Sequence, residues 1–189
     1  MPILRVDPNQ TKFANQQRDV TKGIVVGMVV SFAVVIYGAL ANPFEFSEPQ
    51  SLIERLIIYA YGMLLPTLSL IIAVARVAKH RFFNSEDIDG RSFNKESERV
   101  RRLQNVLQNT LEQFCIVMSV YFLWAFIMPA DYMSLIALIS VLFFIGRILF
   151  MRGYDKGAGA RSIGFSLTFY PSVLTVGAII IYLFYRVLV

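Results

Sequence analysis

The chain has 189 residues, 56% of them hydrophobic and 16% charged, with a mean hydropathy of +0.57, which is too apolar for a soluble domain of this length. Its net charge of +5 would suggest nucleic acid in a soluble chain, but sixteen of the 18 basic residues fall on one side of the predicted spans, so the charge reads as orientation and no nucleic acid is expected. Cys115 and His80 are single residues of their kind, which excludes a disulfide framework and leaves no Cys/His cluster for a metal.

Five apolar stretches, at residues 23–41, 56–75, 111–128, 132–150 and 163–187, are each long enough to cross a hydrocarbon core of about 30 Å. Residues 1–22 are polar, carry Pro2 and Pro8, and read as a cytoplasmic tail. The first span ends in Ala39, Leu40 and Ala41 before Asn42, which resembles a signal-peptidase site. The preceding tail is long for a signal peptide, so this span is expected to be retained. Residues 42–54, NPFEFSEPQSLIE, form an acidic outer connector. Pro66 in the second span is expected to kink it, with a neighbouring helix satisfying the freed carbonyl.

The longest polar segment, residues 76–102, mixes both charge signs and reads as a solvated loop. It runs into a helix over residues 99–121, RVRRLQNVLQNTLEQFCIVMSVY. There Asn105, Gln108, Asn109 and Glu112 fall at i, i+3, i+4 and i+7 and make one polar stripe, continued by Cys115 and Ser119. A carboxylate at the edge of hydrocarbon should face a bundle interior or a wet cavity, with a partner. Arg147, at a similar depth in the fourth span, is the predicted partner of Glu112, as a structural ion pair, as a ligand contact, or as both. The short turn at residues 129–131 makes the third and fourth spans a hairpin. The loop GYDKGAGAR, residues 153–161, is basic like the 76–102 segment and converges with it where the stripe emerges. Tyr182 and Tyr185 read as an interfacial belt at the outer end of the fifth span. With sixteen cations on one face and only Arg55 and Arg186 on the other, the predicted topology is N-terminus in and C-terminus out, in a bacterial inner membrane or the endoplasmic reticulum.

Three segments of this sequence resemble the MAPEG family, the small membrane proteins of eicosanoid and glutathione metabolism. AKHRFFNSEDI, residues 78–88, is similar to the family's FxNPED loop at Phe82, Asn84, Glu86 and Asp87, with Ser85 in place of Pro. QNTLEQF, residues 108–114, is similar to the RNDLE-type signature at Asn109 and Glu112, with Gln108 in place of Arg. GRILFMRGYDKGAGARS, residues 146–162, resembles the R-x-x-Y/H-x-x-G-Y…R-S motif at Arg147, Gly153, Tyr154, Arg161 and Ser162, with Phe150 in place of Tyr or His.

The likeness covers residues 52–189. It implies an all-α integral membrane bundle with a four-helix core, preceded here by one additional membrane helix in residues 23–51. It also implies a homotrimer that binds glutathione between subunits near the cytoplasmic face. The extra helix and GFSLTFYP, residues 164–171, look like the mattrin-like branch.

Glutathione presents two carboxylates, an ammonium and a thiol. Near the inner ends of the second and fourth helices, Arg76 and Arg147 could take the carboxylates as bidentate forks, and Asn109 and Glu112 would receive the ammonium. Gln108 and Phe165 stand at further ligand positions. Arg161 would stabilise the thiolate, because a neighbouring guanidinium lowers a thiol's pKa from about 8.5. Ser162 would donate a hydrogen bond, Asp87 would accept a proton, and Tyr154 would position the tripeptide.

Each residue also has a structural reading. Arg76 and Arg161 suit positive-inside anchors, Tyr154 an interfacial aromatic, Ser162 the N-cap of the fifth helix, and Asp87 a solvated loop. The leading expectation is a glutathione transferase or peroxidase acting on a lipophilic electrophile that arrives through the membrane lipid. The alternative is a non-catalytic scaffold regulating membrane partners, which Gln108, Phe150 and Phe165 favour by being less polar or less basic than catalytic relatives have. A channel would need a continuous polar path, and the fourth and fifth spans offer none beyond their inner turn.

Overall fold

The computed structural model describes residues 8–44, 51–89 and 96–188. Glu45 and Glu48 of the outer connector, Arg91 and Lys95 of the polar segment, and residues 1–7 of the expected tail lie outside them. Among the described residues the chain is five long helices, α1 (Pro8–Ala41), α2 (Leu52–Phe83), α3 (Glu98–Ile127), α4 (Ser134–Gly153) and α5 (Ala158–Leu188), with 3-10 turns at Ala130–Tyr132 and Tyr154–Lys156. All five are long and apolar enough to cross a membrane.

Three helices extend into segments that the sequence reads as tail or loop. Residues 8–22, expected as a tail, form the first turns of α1. TKFANQQRDVTK contains no Gly or Pro, and extending an existing helix needs no new nucleus. The second helix continues through the polar residues 76–83, which had read as loop. The fifth begins at Ala158, so Ser162 is not its N-cap; its Oγ donates to the Gly159 carbonyl at 2.7 Å, inside the first turns.

The helix ends are closed by specific groups. Ser51 and Glu54 form a reciprocal capping box at the start of α2, at 3.2 and 3.1 Å. Ser97 caps α3 by accepting from Val100 N at 3.2 Å. Arg55 closes the other end of α3, donating from Nη1 to the Ala125 and Met128 carbonyls at 2.7 and 2.9 Å. At the outer end of α1, Asn42 takes a positive φ of 37° and its side chain bonds Ser134. Pro66 leaves the Gly62 carbonyl without its helical donor, and Ser140 of α4 supplies one at 2.6 Å.

α4 is the innermost helix, packed by α2 and α5, with α1 lying along α5. The main core fills the half at the α3–α4 turn, the expected outer half, around Tyr121, Trp124, Met133, Ile136 and Phe143. Two smaller clusters, one with Ala73, Val106, Phe150 and Met151 and the other with Val77, Val100 and Leu103, fill the inner half.

α4 and α5 cross with their backbones nearly touching at Gly146 and Gly164. A Cβ on Gly164 would stand 2.3 Å from Phe150 N and 2.7 Å from the Gly146 carbonyl oxygen, so only hydrogen fits. Gly164→Ala is therefore expected to spread the two helices and cost about 1–3 kcal/mol, read as an earlier unfolding transition in detergent.

Candidate functional site

α3, α4 and α5, with one face of α1, border an open cavity of about 450 Å3 lined by Val20, Ile24, Asn105, Asn109, Phe150, Tyr154, Ala158, Arg161, Ser162 and Phe165. α4 contributes Phe150 and the 3-10 turn after it Tyr154; Ala158, Arg161, Ser162 and Phe165 of α5 recur every three or four positions because one face of that helix turns inward. Val20 and Ile24 come from α1 at the same spacing, and nothing in the sequence marked them as site residues.

Along one side, two rings in contact with each other stand between two cations. The Arg161 guanidinium lies 4.4 Å from the Tyr154 ring centroid. Tyr154 meets Phe150 edge to face at 5.5 Å. On the far side of Phe150 the Arg147 guanidinium sits 4.1 Å from its centroid. Arg147 then donates from Nη1 and Nη2 to Asn109 Oδ1 at 3.1 and 3.2 Å. Each guanidinium lies against an aromatic face, which favours a cation by roughly 0.5–2 kcal/mol.

Arg147 is completely buried, and its Nε has no partner. The expected Glu112–Arg147 pair does not form. Glu112 is exposed on the outer face of the helix and accepts from Gln108 Nε2 at 3.1 Å. The seam that α3 turns to the bundle is Leu103, Val106, Thr110, Gln113, Val117 and Val120, and its spacing puts Glu112 on the opposite side. Arg147 is thus a buried cation held by a neutral amide and a ring, with no carboxylate in salt-bridge contact among the described residues. Both Arg147 bonds fall on Asn109 Oδ1, so Asn109 has only N–H donors left for a ligand. Behind its apolar lining the cavity is therefore electropositive, and suited to an anion.

The other expected site residues lie elsewhere. Gln108 is exposed beside Glu112 on the outward stripe, with Cys115 and Ser119. Ser162 lines the cavity, but its hydroxyl hydrogen is committed to Gly159. Arg76 borders a second cavity, of about 270 Å3, with Lys79, His80 and Arg99.

Asp87 is neither solvated nor near Arg161. It is buried at the junction of α2 and α3, where it accepts from Ser97 N at 3.0 Å and Ser97 Oγ at 2.7 Å, and meets His80 Nε2 at 3.0 Å. Asn84 Nδ2 faces His80 Nδ1 at 3.1 Å, so the consistent tautomer carries its hydrogen on Nε2, toward Asp87. The Ser97 hydroxyl, then the Ser97 backbone N–H, then His80 hold the Asp87 carboxyl below its ordinary 3.8. A carboxyl so held is a poor proton acceptor and a good staple.

A family model described as the MAPEG family matches residues 56–188. An uncharacterized protein of Synechocystis is 36% identical over 88 residues, which is 46% of this chain and 60% of the relative; the match thus spans less than two thirds of that relative's length. No solved structure matches. α1, with Val20 and Ile24, precedes the family match.

Two outcomes test this geometry. Asn109→Ala removes the acceptor of a buried guanidinium and is expected to cost about 1–3 kcal/mol, measured by denaturant titration in micelles. Asp87 titrates lower folded than unfolded, so its contribution is complete above roughly pH 4 and is lost as pH falls through the folded value. The wild type should therefore lose more thermal stability between pH 5 and pH 3 than Asp87→Asn does.

Proposed function

The chain belongs to the MAPEG family, and we propose that it is a glutathione-binding membrane protein with transferase or peroxidase activity toward lipophilic electrophiles. The observation that carries this reading is that Asn109, Tyr154, Arg161 and Ser162, drawn from separate stretches of sequence, line one cavity with a second guanidinium, Arg147, bound behind Asn109. Glutathione brings two carboxylates and an ionisable thiol, which suits a wall with two cations and donors but no acid.

In this reading Arg161 faces the sulfur. Tyr154 holds its guanidinium in place through the ring contact, so the charge is preorganised where the thiolate forms. The thiol proton leaves to solvent, and the thiolate's electron pair forms the new carbon–sulfur bond as the electrophile's leaving group departs with the pair of the bond that breaks. With a hydroperoxide the thiolate instead attacks oxygen, the O–O bond breaks to release alkoxide, and a second glutathione converts the sulfenic acid to disulfide and water. Asn109 N–H groups and the field of Arg147 take a glutathione carboxylate. Val20, Ile24 and Phe165 make an apolar wall against which the lipophilic small molecule lies as it arrives from the bilayer.

Glu112, Gln108 and Asn105 are exposed on the protomer within a helix long enough to span the membrane. An acid left in lipid is costly, so the stripe is best covered by neighbouring copies, in keeping with a homotrimer. There Glu112 and Gln108 would meet the ligand's ammonium from an adjoining subunit. The basic bias of the inner segments supports an N-terminus in the cytoplasm and a C-terminus on the opposite side, of a bacterial inner membrane or the endoplasmic reticulum.

The second reading is a non-catalytic, mattrin-like scaffold that regulates membrane partners. Phe150 favours it, because it stands at the Tyr or His position and its ring is engaged by Arg147, so it offers a ligand no hydroxyl or imidazole.

Ultraviolet difference absorbance of the detergent-solubilised protein, titrated with glutathione near neutral pH, separates the two. The transferase reading expects a saturable thiolate band that Arg161→Ala abolishes, returning the thiol pKa toward about 8.5 while assembly is unchanged. A wild type with no thiolate band refutes activation and leaves the scaffold reading.

A further inference from the structure

Among the described residues the Arg161 guanidinium enters no salt bridge and no hydrogen bond. Its hold is the Tyr154 ring, 4.4 Å away at the centroid, so whatever fixes Tyr154 also fixes that charge. Tyr154 opens the 3-10 turn Tyr154–Lys156 between α4 and α5. Toward those helices the turn is held by backbone. A Cβ on Gly153 would stand 2.4 Å from the Ala160 carbonyl oxygen, and Gly157 leaves the turn at a φ of 106°, which glycine adopts freely. The ring itself packs on the cluster of Ala73, Val106, Phe150 and Met151, but apolar burial is non-directional.

The directional anchor is the next residue. Asp155 Oδ2 accepts from Arg99 Nη1 at 2.6 Å, and its Oδ1 lies 3.9 Å from Arg102 Nη1, so its two oxygens engage two guanidinium groups on neighbouring turns of α3. With Arg76, these arginines line a crevice bordered by Tyr154 and Asp155, where Asp155 is the one carboxylate among the described residues. An isolated exposed ion pair is worth little, but an acid shared within a network of charges is worth more. Without it, three like charges would surround the turn.

We propose that Asp155 is a positioning residue for the thiolate site: by tying the turn after α4 to α3, it holds the Tyr154 ring under the Arg161 guanidinium. This rests on the glutathione reading, in which Arg161 faces the sulfur. Asp155 does not line the cavity, so it acts through Tyr154. Its two effects on a bound thiol have opposite signs. As a charge acting through space it disfavours a thiolate, whereas as an anchor for Tyr154 and Arg161 it favours one. Solvent screens the through-space effect of a half-exposed carboxylate, so the anchor prevails.

Two measurements on the full chain in detergent, comparing Asp155→Asn with the wild type, test this. The first needs no glutathione: in protein with isotope-labelled arginine, the Arg161 side-chain N–H signal, assigned through Arg161→Lys, carries a ring-current shift from Tyr154. Asp155→Asn should move that signal toward the position of a solvated arginine. The second is the thiolate titration, where Asp155→Asn should raise the bound thiol's pKa by about half a unit and leave about threefold less thiolate at neutral pH. Asp155→Glu should restore both signals. Glu98→Gln, which takes an acid from Arg102 at 3.2 Å but not from the turn, should change neither. An unchanged ring-current shift in Asp155→Asn, a thiol pKa that falls, or an equal effect from Glu98→Gln would overturn the proposal. A wild type with the ring-current shift but no thiolate band refutes thiolate activation instead, and the shift in Asp155→Asn then decides by itself whether Asp155 holds Arg161.

Discussion

A guanidinium buried inside a membrane bundle is the constraint from which the rest of the inner half follows. Arg147 has lost all its water, and desolvating such a charge costs several kcal/mol that packing alone does not return. It is held by what a neutral site can offer, the two lone pairs of Asn109 Oδ1 and the face of Phe150. Both partners must arrive within tenths of an ångström. Phe150 is one turn along the same helix, but Asn109 belongs to α3, so the α3–α4 register is tied to this contact.

The α4–α5 crossing provides the other half of the geometry. Where Gly146 and Gly164 bring the backbones together, Phe150 and Phe165 both reach the wall of the cavity. The 3-10 turn that follows swings Tyr154 beneath Arg161. The outer half of the bundle is filled by large side chains from Tyr121 to Phe143 and holds a smaller void, of about 170 Å3. The larger, charged cavity lies toward the inner end because the helices there converge on small residues and polar groups.

Much of this was legible in the sequence, and the failures have one cause. Five spans were visible because about twenty apolar residues cannot hide in a chain of this length. The residues of the cavity were visible because the spacing of Arg147, Tyr154 and Arg161 matched a family motif. Periodicity placed Asn105, Gln108 and Glu112 on one stripe correctly but gave no means of deciding which way the stripe faces. The inward seam of α3 is mostly apolar, with Thr110 and Gln113 among its residues, but in a membrane chain an apolar face can meet lipid as readily as a core, so the eye follows the acid. Asp87 and Ser162 were misjudged for a related reason. Asp87 in a mixed segment reads as solvated and Ser162 before an apolar run reads as an N-cap, whereas here the first closes the α2–α3 junction and the second bonds back to its own helix.

α1 bears on the cavity more than its place outside the family match suggests. It lies along α5 so closely that a Cβ on Gly27 would stand 2.3 Å from Ser166 Cβ, which fixes its depth as well as its direction. Because the helix is continuous from Pro8, that fixed depth is carried rigidly toward its inner end and sets Val20 and Ile24 against the cavity. The cationic run on α3, α4 and α5 belongs to the matched segment, as does Phe165 of the apolar wall; Val20 and Ile24 do not. Under the proposed glutathione reading, charge recognition rests on the matched segment and shape selection in part on α1, so the size of a lipophilic ligand would vary through Val20 and Ile24 while the cationic wall stays as it is.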